Sequence, residues 1–224
     1  MQKGALVLEI GPGTQPHPRA DVFLELRYAH PEDFTRQTGG AAGARPSRNV
    51  VFYDGSRFPF ATGTFDYVIC SHVIEHVHDV ETFLAEMFRV AKAGYLEYPT
   101  ILYEYLYNFD VHQQLLIMRD DTLVYLPKSM LGLSEFLPVQ RFLLRSLDLG
   151  YSQLVDALAE KMFEGFEWRK PFLCRLASSI EELVPNANEL APRYVQPTSG
   201  GRLRGVRARV LSLLRWVRPK GNRK

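Results

Sequence analysis

From the first residues to about residue 100, short apolar runs alternate with polar, turn-rich stretches. "ALVLEI" (Ala5 to Ile10) is one such run, and "GPGT" follows it at once. A run this short and uniformly apolar predicts a strand buried on both faces, as in a parallel sheet. "DVFLEL" (Asp21 to Leu26), "NVVFYDG" (Asn49 to Gly55), "DYVICSH" (Asp66 to His72) and "AGYLEYP" (Ala93 to Pro99) repeat the pattern. Between the fourth and fifth runs, Val80, Phe83, Leu84, Met87, Phe88 and Ala91 recur at helical spacing, with Asp79 placed as the N-cap. "PHPRA" (Pro16 to Ala20) is too rich in proline for a helix, and residues 31–48 predict one helical turn and then a loop. Strands alternating with helices or crossovers predict an α/β fold with a mostly parallel twisted sheet flanked by helices.

Beyond Thr100 the pattern changes. "LLIMRDDTLVYLPK" (Leu115 to Lys128) predicts a hairpin around Asp120 and Asp121. Residues 133–163 carry helical spacing, notably "SQLVDALAEKMF", and "FEWRKPFLCRL" predicts a last strand. This gives one domain over 1–184, with a core at 5–100, an insertion at about 101–165 and an added helical and hairpin region toward its C-terminal end. Pro, Asn, Gly and Ser mark 185–201 as a linker. In the tail, 202–224, Leu203, Val206, Val210, Leu213, Leu214 and Val217 share a helical face flanked by Arg204, Arg207, Arg209, Arg215 and Arg218. That is a basic amphipathic helix, suited to an anionic membrane surface.

Composition adds little until it is divided. The 224 residues are 46% hydrophobic and 23% charged, as in a soluble globular protein. The net charge is +2, yet Leu190 to Lys224 holds ten basic residues and no acid, so the rest carries 17 basic and 25 acidic side chains. An acidic body with a basic tail argues against nucleic-acid binding by the body and for a polyanionic surface at the tail. Cys70 and Cys174 lie far apart, and Cys70 sits in an apolar run, so free thiols and a reducing compartment are expected. No run reaches the length of a membrane-spanning helix, and "ALVLEIGPG" is too short for a signal peptide. A cytoplasmic protein, peripheral at the inner membrane face, is expected. No feature specifies an oligomeric state.

The chemistry clusters at strand ends. Gly11 and Gly13 close the first strand, where a bare backbone turns sharply and can approach a ligand. Glu25 closes the second strand and Asp54 the third, the edge at which open parallel sheets bind ligands. A carboxylate at the first of these positions can accept from a ribose diol, and one at the second from an exocyclic amine. The fourth strand runs into "HVIEH" (His72 to His76), which as H-x-x-E-H matches the inverted zinc metallopeptidases. That chemistry wants both histidines on one helix. His72 instead ends a strand-like run, so a zinc hydrolase is only a remote alternative.

Taken together, "VLEIGPGT", "FLEL", "VVFYDGSRFPFATGTFDYVICSHVIEHV" and "GYLEYPT" resemble the class I S-adenosylmethionine-dependent methyltransferases, in particular their small-molecule branch. The resemblance covers about residues 5–100. With "PHPRADV" and "GYLEYP" it extends toward the methyltransferases of bacterial surface-polysaccharide clusters. It implies a Rossmann-like fold, S-adenosylmethionine as cofactor and a glycan or other small-molecule acceptor methylated on a hydroxyl. It also implies roles for particular residues. Glu9, Gly11 and Gly13 match the motif that cradles the amino-acid part of the cofactor, and Glu25 matches the ribose-binding acid. Asp54, with Gly55 and Ser56, matches the adenine contact. Ser71 and His72 match the positions beneath the sulfonium.

Departures from the family's pattern shape further expectations. Gln15 replaces the usual third glycine, and Thr14 to Ala20 cannot form the usual first helix. With no earlier helices in this sequence, residues 101–128 are the expected lid, and Tyr103, Tyr105, Tyr107, His112 and Tyr125 its candidate acceptor contacts. His72, then His76, then His112 are candidates to accept the proton of the acceptor hydroxyl. Some sugar-hydroxyl methyltransferases carry E-x-x-E-H here and bind magnesium. His72 in place of the first carboxylate makes a poorer site for a hard cation, and no metal is expected. The alternative to an enzyme is a non-catalytic cofactor-fold module that binds a partner in a biosynthetic or membrane-associated assembly.

Overall fold

A computed structural model of the chain describes residues 4–38, 49–150 and 152–186. Nine strands and six helices are defined there: β1 (Val7–Ile10), β2 (Val22–Leu26), α1 (Pro31–Thr38), β3 (Val50–Tyr53), β4 (Tyr67–Ser71), α2 (Val80–Val90), β5 (Gly94–Pro99), α3 (Ile101–Tyr107), β6 (Gln114–Arg119), β7 (Thr122–Pro127), α4 (Leu137–Asp148), α5 (Gln153–Ala157), α6 (Ala159–Met162), β8 (Phe163–Trp168) and β9 (Leu173–Leu176).

The main sheet has the order β3-β2-β1-β4-β5-β8. Its first five strands are parallel, and β8 joins the β5 edge antiparallel. The expected mostly parallel sheet is present. Chain order reverses between β1 and β4, so a crevice opens at the carboxyl ends of these two strands. Val7, Leu8, Val68 and Cys70 have no exposed surface, which explains why β1 and β4 read as continuous apolar runs. Helix α2 buries Val80, Phe83, Leu84, Met87 and Val90 against the sheet. Its cap is the expected one: Thr82 N donates to the Asp79 carboxylate at 2.9 Å, a cap worth about 1 kcal/mol. Cys70 and Cys174 are free thiols.

Three local expectations change. The segment 31–38 makes a full short helix, and the loop expected after it lies outside the described residues. "ILYEYLY" forms α3, whose aromatic residues gave no helical signal in sequence. "FEWRKPFLCRL" is not one strand: β8 ends at Trp168 and β9 begins at Leu173, with Pro171 between them. A proline has no amide proton for a ladder, so the chain breaks there and β9 pairs with β7 instead.

The hairpin predicted at Asp120 and Asp121 is β6–β7, and both aspartates have positive φ (44° and 60°), as a tight two-residue hairpin turn requires. With β9 it forms a separate three-stranded sheet. The insertion is nonetheless part of one core, because Leu116 of β6 and Leu123 of β7 pack in the same cluster as Leu8, Val68 and Leu84. The tail at 202–224 and nearly all of the linker at 185–201 lie outside the described residues. Among the described residues no helix is long and apolar enough to cross a membrane.

Candidate active site

The crevice at the strand-order reversal is a cavity of about 700 Å³. Glu9, Gly11, Gly13, Glu25, Asp54, Gly55, Ser56, Ser71, His72 and His76 all line it, so the structure gathers these residues in one place. The cavity has two chemically different walls.

The first wall comes from the ends of β1, β2 and β3. Gly11 has φ +61°, and a Cβ there would stand 2.5 Å from Val73 Cγ2 in the loop after β4. Glycine is therefore required both by the turn and by the approach of that loop. Its amide is not offered to a ligand: Gly11 N donates to Leu24 O at 2.9 Å within the sheet. Glu9 is buried at the cavity floor, where its carboxylate accepts from His17 N at 2.7 Å. Burial lifts its pKa to about 7, and the His17 amide offsets this only in part. Glu25 is buried, with Oε1 accepting from Leu26 N at 2.9 Å. Asp54 is exposed and turns back on Ser56, whose amide donates to it at 3.0 Å. The Ser56 hydroxyl and amide hold its carboxyl below the usual range.

The second wall is the loop after β4, together with β5. His72 sits at φ +56°, outside any helix, and Ile74–His76 make one 3-10 turn. The two histidines are not on one helix, which removes the metallopeptidase geometry. His72 lies between two carboxylates, with Nε2 3.2 Å from Glu97 Oε1 and Nδ1 3.5 Å from Glu75 Oε1. Burial pulls its pKa down, but the two carboxylates outweigh burial and raise it to about 9. Glu97 is its counterpart. Burial opposes its charge, yet His72, Tyr95 and Ser71 bring its pKa down to about 2. Ser71 Oγ donates to Glu97 Oε1 at 2.7 Å and the Tyr95 hydroxyl donates to Oε2. Gly165 on β8 leaves the space through which the Tyr95 hydroxyl reaches across.

His76 Nδ1 donates to the Val111 carbonyl at 3.1 Å, and burial with the nearby His112 lowers its pKa to about 4. His112 does not line the cavity. Its ring is buried behind His76, edge-on at 4.7 Å, and its Nδ1 is bound to Glu104. Lys128 Nζ donates to the other Glu104 oxygen at 2.8 Å.

The expected aromatic lid also differs. Tyr103 and Tyr107 are buried in a cluster with Leu147, Val155 and Met162, and Tyr125 donates to Glu81 at 3.2 Å. Tyr105 is exposed but is not among the cavity's lining residues. None of the four tyrosines lines the cavity: α3 turns Tyr103 and Tyr107 into packing and leaves Tyr105 exposed, and Tyr125 lies on β7. No motif in the sequence assigns Glu97 or Tyr95 a role. The available signal was a carboxylate inside an apolar strand, at the register partner of Ser71.

Residues 32–96 match a family model described as a methyltransferase domain. Demethylmenaquinone methyltransferase of Thermobifida fusca (strain YX) is 46% identical over 98 residues, covering 41% of this chain and 41% of its own. The chain thus spans about two fifths of the length of that curated relative. An S-adenosylmethionine-dependent methyltransferase structure from Mesorhizobium loti covers 75% of this chain and 91% of its own, at 13% identity and a TM-score of 0.42. A second such structure, from Aquifex aeolicus, covers 44% of this chain and 58% of its own, at 15% identity and a TM-score of 0.30. The matched segment runs from α1 through β4 and its histidine loop into β5, so over this stretch, which includes the histidine wall of the cavity, the chain is similar to a methyltransferase domain.

Proposed function

We propose that the chain transfers the methyl group of S-adenosylmethionine to a hydroxyl of a small-molecule acceptor, with a glycan as the leading case. The observation that carries this reading is that one cavity of about 700 Å³ holds both walls. Its size suits a drug-sized ligand. On this reading Glu9 faces the cofactor's ammonium, Glu25 its ribose diol, and Asp54 with Gly55 and Ser56 its adenine. Ser71 and His72 lie at the sulfonium end. The acceptor oxygen attacks the methyl carbon in line, the carbon–sulfur bond breaks to leave a neutral thioether, and the oxygen gives up its proton. Most of the rate comes from holding donor and acceptor in that line. His72 has carboxylates at both ring nitrogens and serves to position the loop. His76 is the other histidine of this wall, and it accepts that proton.

A methyl-transfer screen over glycans, glycolipids and phenols, with labelled S-adenosylmethionine, tests the reading. Transfer to oxygen is expected, and no transfer to any hydroxyl acceptor counts against it. A second acceptor class, of the demethylmenaquinone kind, is supported by the Thermobifida fusca relative. Transfer to a naphthoquinol in the same screen would favour it.

The basic segment 202–224 is proposed to hold the protein at an anionic inner-membrane surface, each cation adding about 1 kcal/mol. The full chain is expected to pellet with anionic vesicles, and a chain ending at Ser199 to stay in solution. Equal pelleting would remove the proposal.

A further inference from the structure

Glu75 has no exposed surface; His72 Nδ1 stands 3.5 Å from its Oε1 as an ion-pair contact, and among the described residues neither carboxylate oxygen has a hydrogen-bond partner. A buried carboxylate in that condition is costly, and native structures rarely leave one so. The groups around it are ring nitrogens. One ligand atom from each of Glu75, His76 and His112 lies within 4.8 Å of the others. His76 Nε2 is 3.9 Å from Glu75 Oε1. Ligand atoms about 2.1 Å from a tetrahedral ion stand about 3.4 Å apart, so a small inward rotation of the rings would close the set.

The groups behind the two rings match what metal sites use. Metal-bound histidines give their second nitrogen to a carbonyl or carboxylate, which fixes the ring and its tautomer. His76 Nδ1 is on the Val111 carbonyl at 3.1 Å, and His112 Nδ1 is on Glu104. Glu104 is itself held by Lys128 at 2.8 Å. The loop is clamped as well, since Gln113 N donates to Glu75 O at 2.7 Å and Gln113 Nε2 to His76 O at 2.9 Å.

We propose that Glu75, His76 and His112 form a site for a divalent transition-metal ion of the zinc type. Two imidazoles and one carboxylate suit such an ion with an open fourth position. They do not suit magnesium, which takes oxygen ligands. The ligand set is not the H-x-x-E-H pattern of the sequence. His72 lies between Glu97 and Glu75 as their ion-pair partner, and the second imidazole of the set comes from the insertion. Because His76 lines the cavity, the ion stands at its wall. The proposal does not depend on methyl transfer, and its test reads metal rather than activity.

The full chain, stripped with a chelator and titrated with Co²⁺ and Zn²⁺, should bind one ion and show the visible absorption of cobalt in a low-symmetry nitrogen and oxygen site. Glu75→Gln and His112→Gln should abolish that spectrum, and Glu104→Gln should weaken binding about 10–100-fold. His30→Ala, an exposed histidine elsewhere, should bind as the unaltered chain does. Because the altered residues are buried, the unaltered zinc-loaded chain also carries a test of its own. X-ray absorption should show a shell of nitrogen and oxygen with imidazole scattering. Binding at trace levels only, a shell of sulfur or of six oxygens, or an unchanged cobalt spectrum in folded His112→Gln would overturn the proposal.

Discussion

The two walls of the cavity are built in opposite ways. On the β1–β3 wall each carboxylate sits at or near the end of its strand, and it accepts a hydrogen bond from a backbone amide nearby in the chain. Glu9 takes its hydrogen bond from His17, Glu25 from Leu26 and Asp54 from Ser56. On the histidine wall the partners come from far along the chain: Glu97 for His72, Val111 for His76, and His112, itself anchored on Glu104 and Lys128. A wall of local contacts can lose one side chain and lose only what that side chain binds. A wall of buried, mutually dependent charges loses structure when one member is removed.

The sharpest way to break the comparison is at Glu104. Glu104→Gln leaves the Lys128 ammonium buried with no counter-charge, and such a loss costs about 3–5 kcal/mol. Urea unfolding should show it. A loss under about 1 kcal/mol would place Glu104 among exposed pairs and undo the contrast. Next in size is Gly11→Ala, where the turn after β1 meets the loop after β4. The positive φ alone costs about 1–2 kcal/mol, and the Cβ would meet Val73. The double variant with Val73→Ala should recover part of the loss.

On the local wall the effects should appear in ligand affinity and not in stability. Asp54→Ala should leave the urea midpoint unchanged, because Asp54 is exposed, while weakening S-adenosylhomocysteine binding about tenfold, or ~1.4 kcal/mol. The smallest effect is one of pH. In the empty protein Glu9 has a pKa of about 7, and a ligand ammonium favours its ionised form. Affinity should therefore be full above pH 7 and be lost as pH falls through it, about threefold between pH 7.5 and 6.5. In Glu9→Gln that step should vanish.

The same contrast explains what was legible in the sequence. β1, β2, β4, β5 and α2 could be read because each buries part or all of an apolar run or face, and β3, only partly buried, still shows its run of four apolar residues, so the pattern of one short segment specifies the element. The cavity residues of the first wall came with them, since each closes a strand. Glu97, Glu104 and the placement of His112 did not. Glu104 lies inside the aromatic run "ILYEYLY", where propensity suggests no helix, and its reason to be buried is a lysine 24 positions on. The four tyrosines of the expected lid were misjudged for the same cause. Their spacing shows aromatic rings but not which way α3 faces Tyr103, Tyr105 and Tyr107, or β7 faces Tyr125. The split of residues 163–176 between two sheets was signalled by Pro171, but its consequence needed β7 in place.

Calorimetric titration of the full chain with S-adenosylhomocysteine tests the central claim, that this cavity is a cofactor site, most directly. A single site is expected, weakened by Asp54→Ala and by Glu25→Ala. No binding heat at high micromolar ligand, or equal affinity in both variants, would contradict it and leave a cofactor-fold module that binds some other partner.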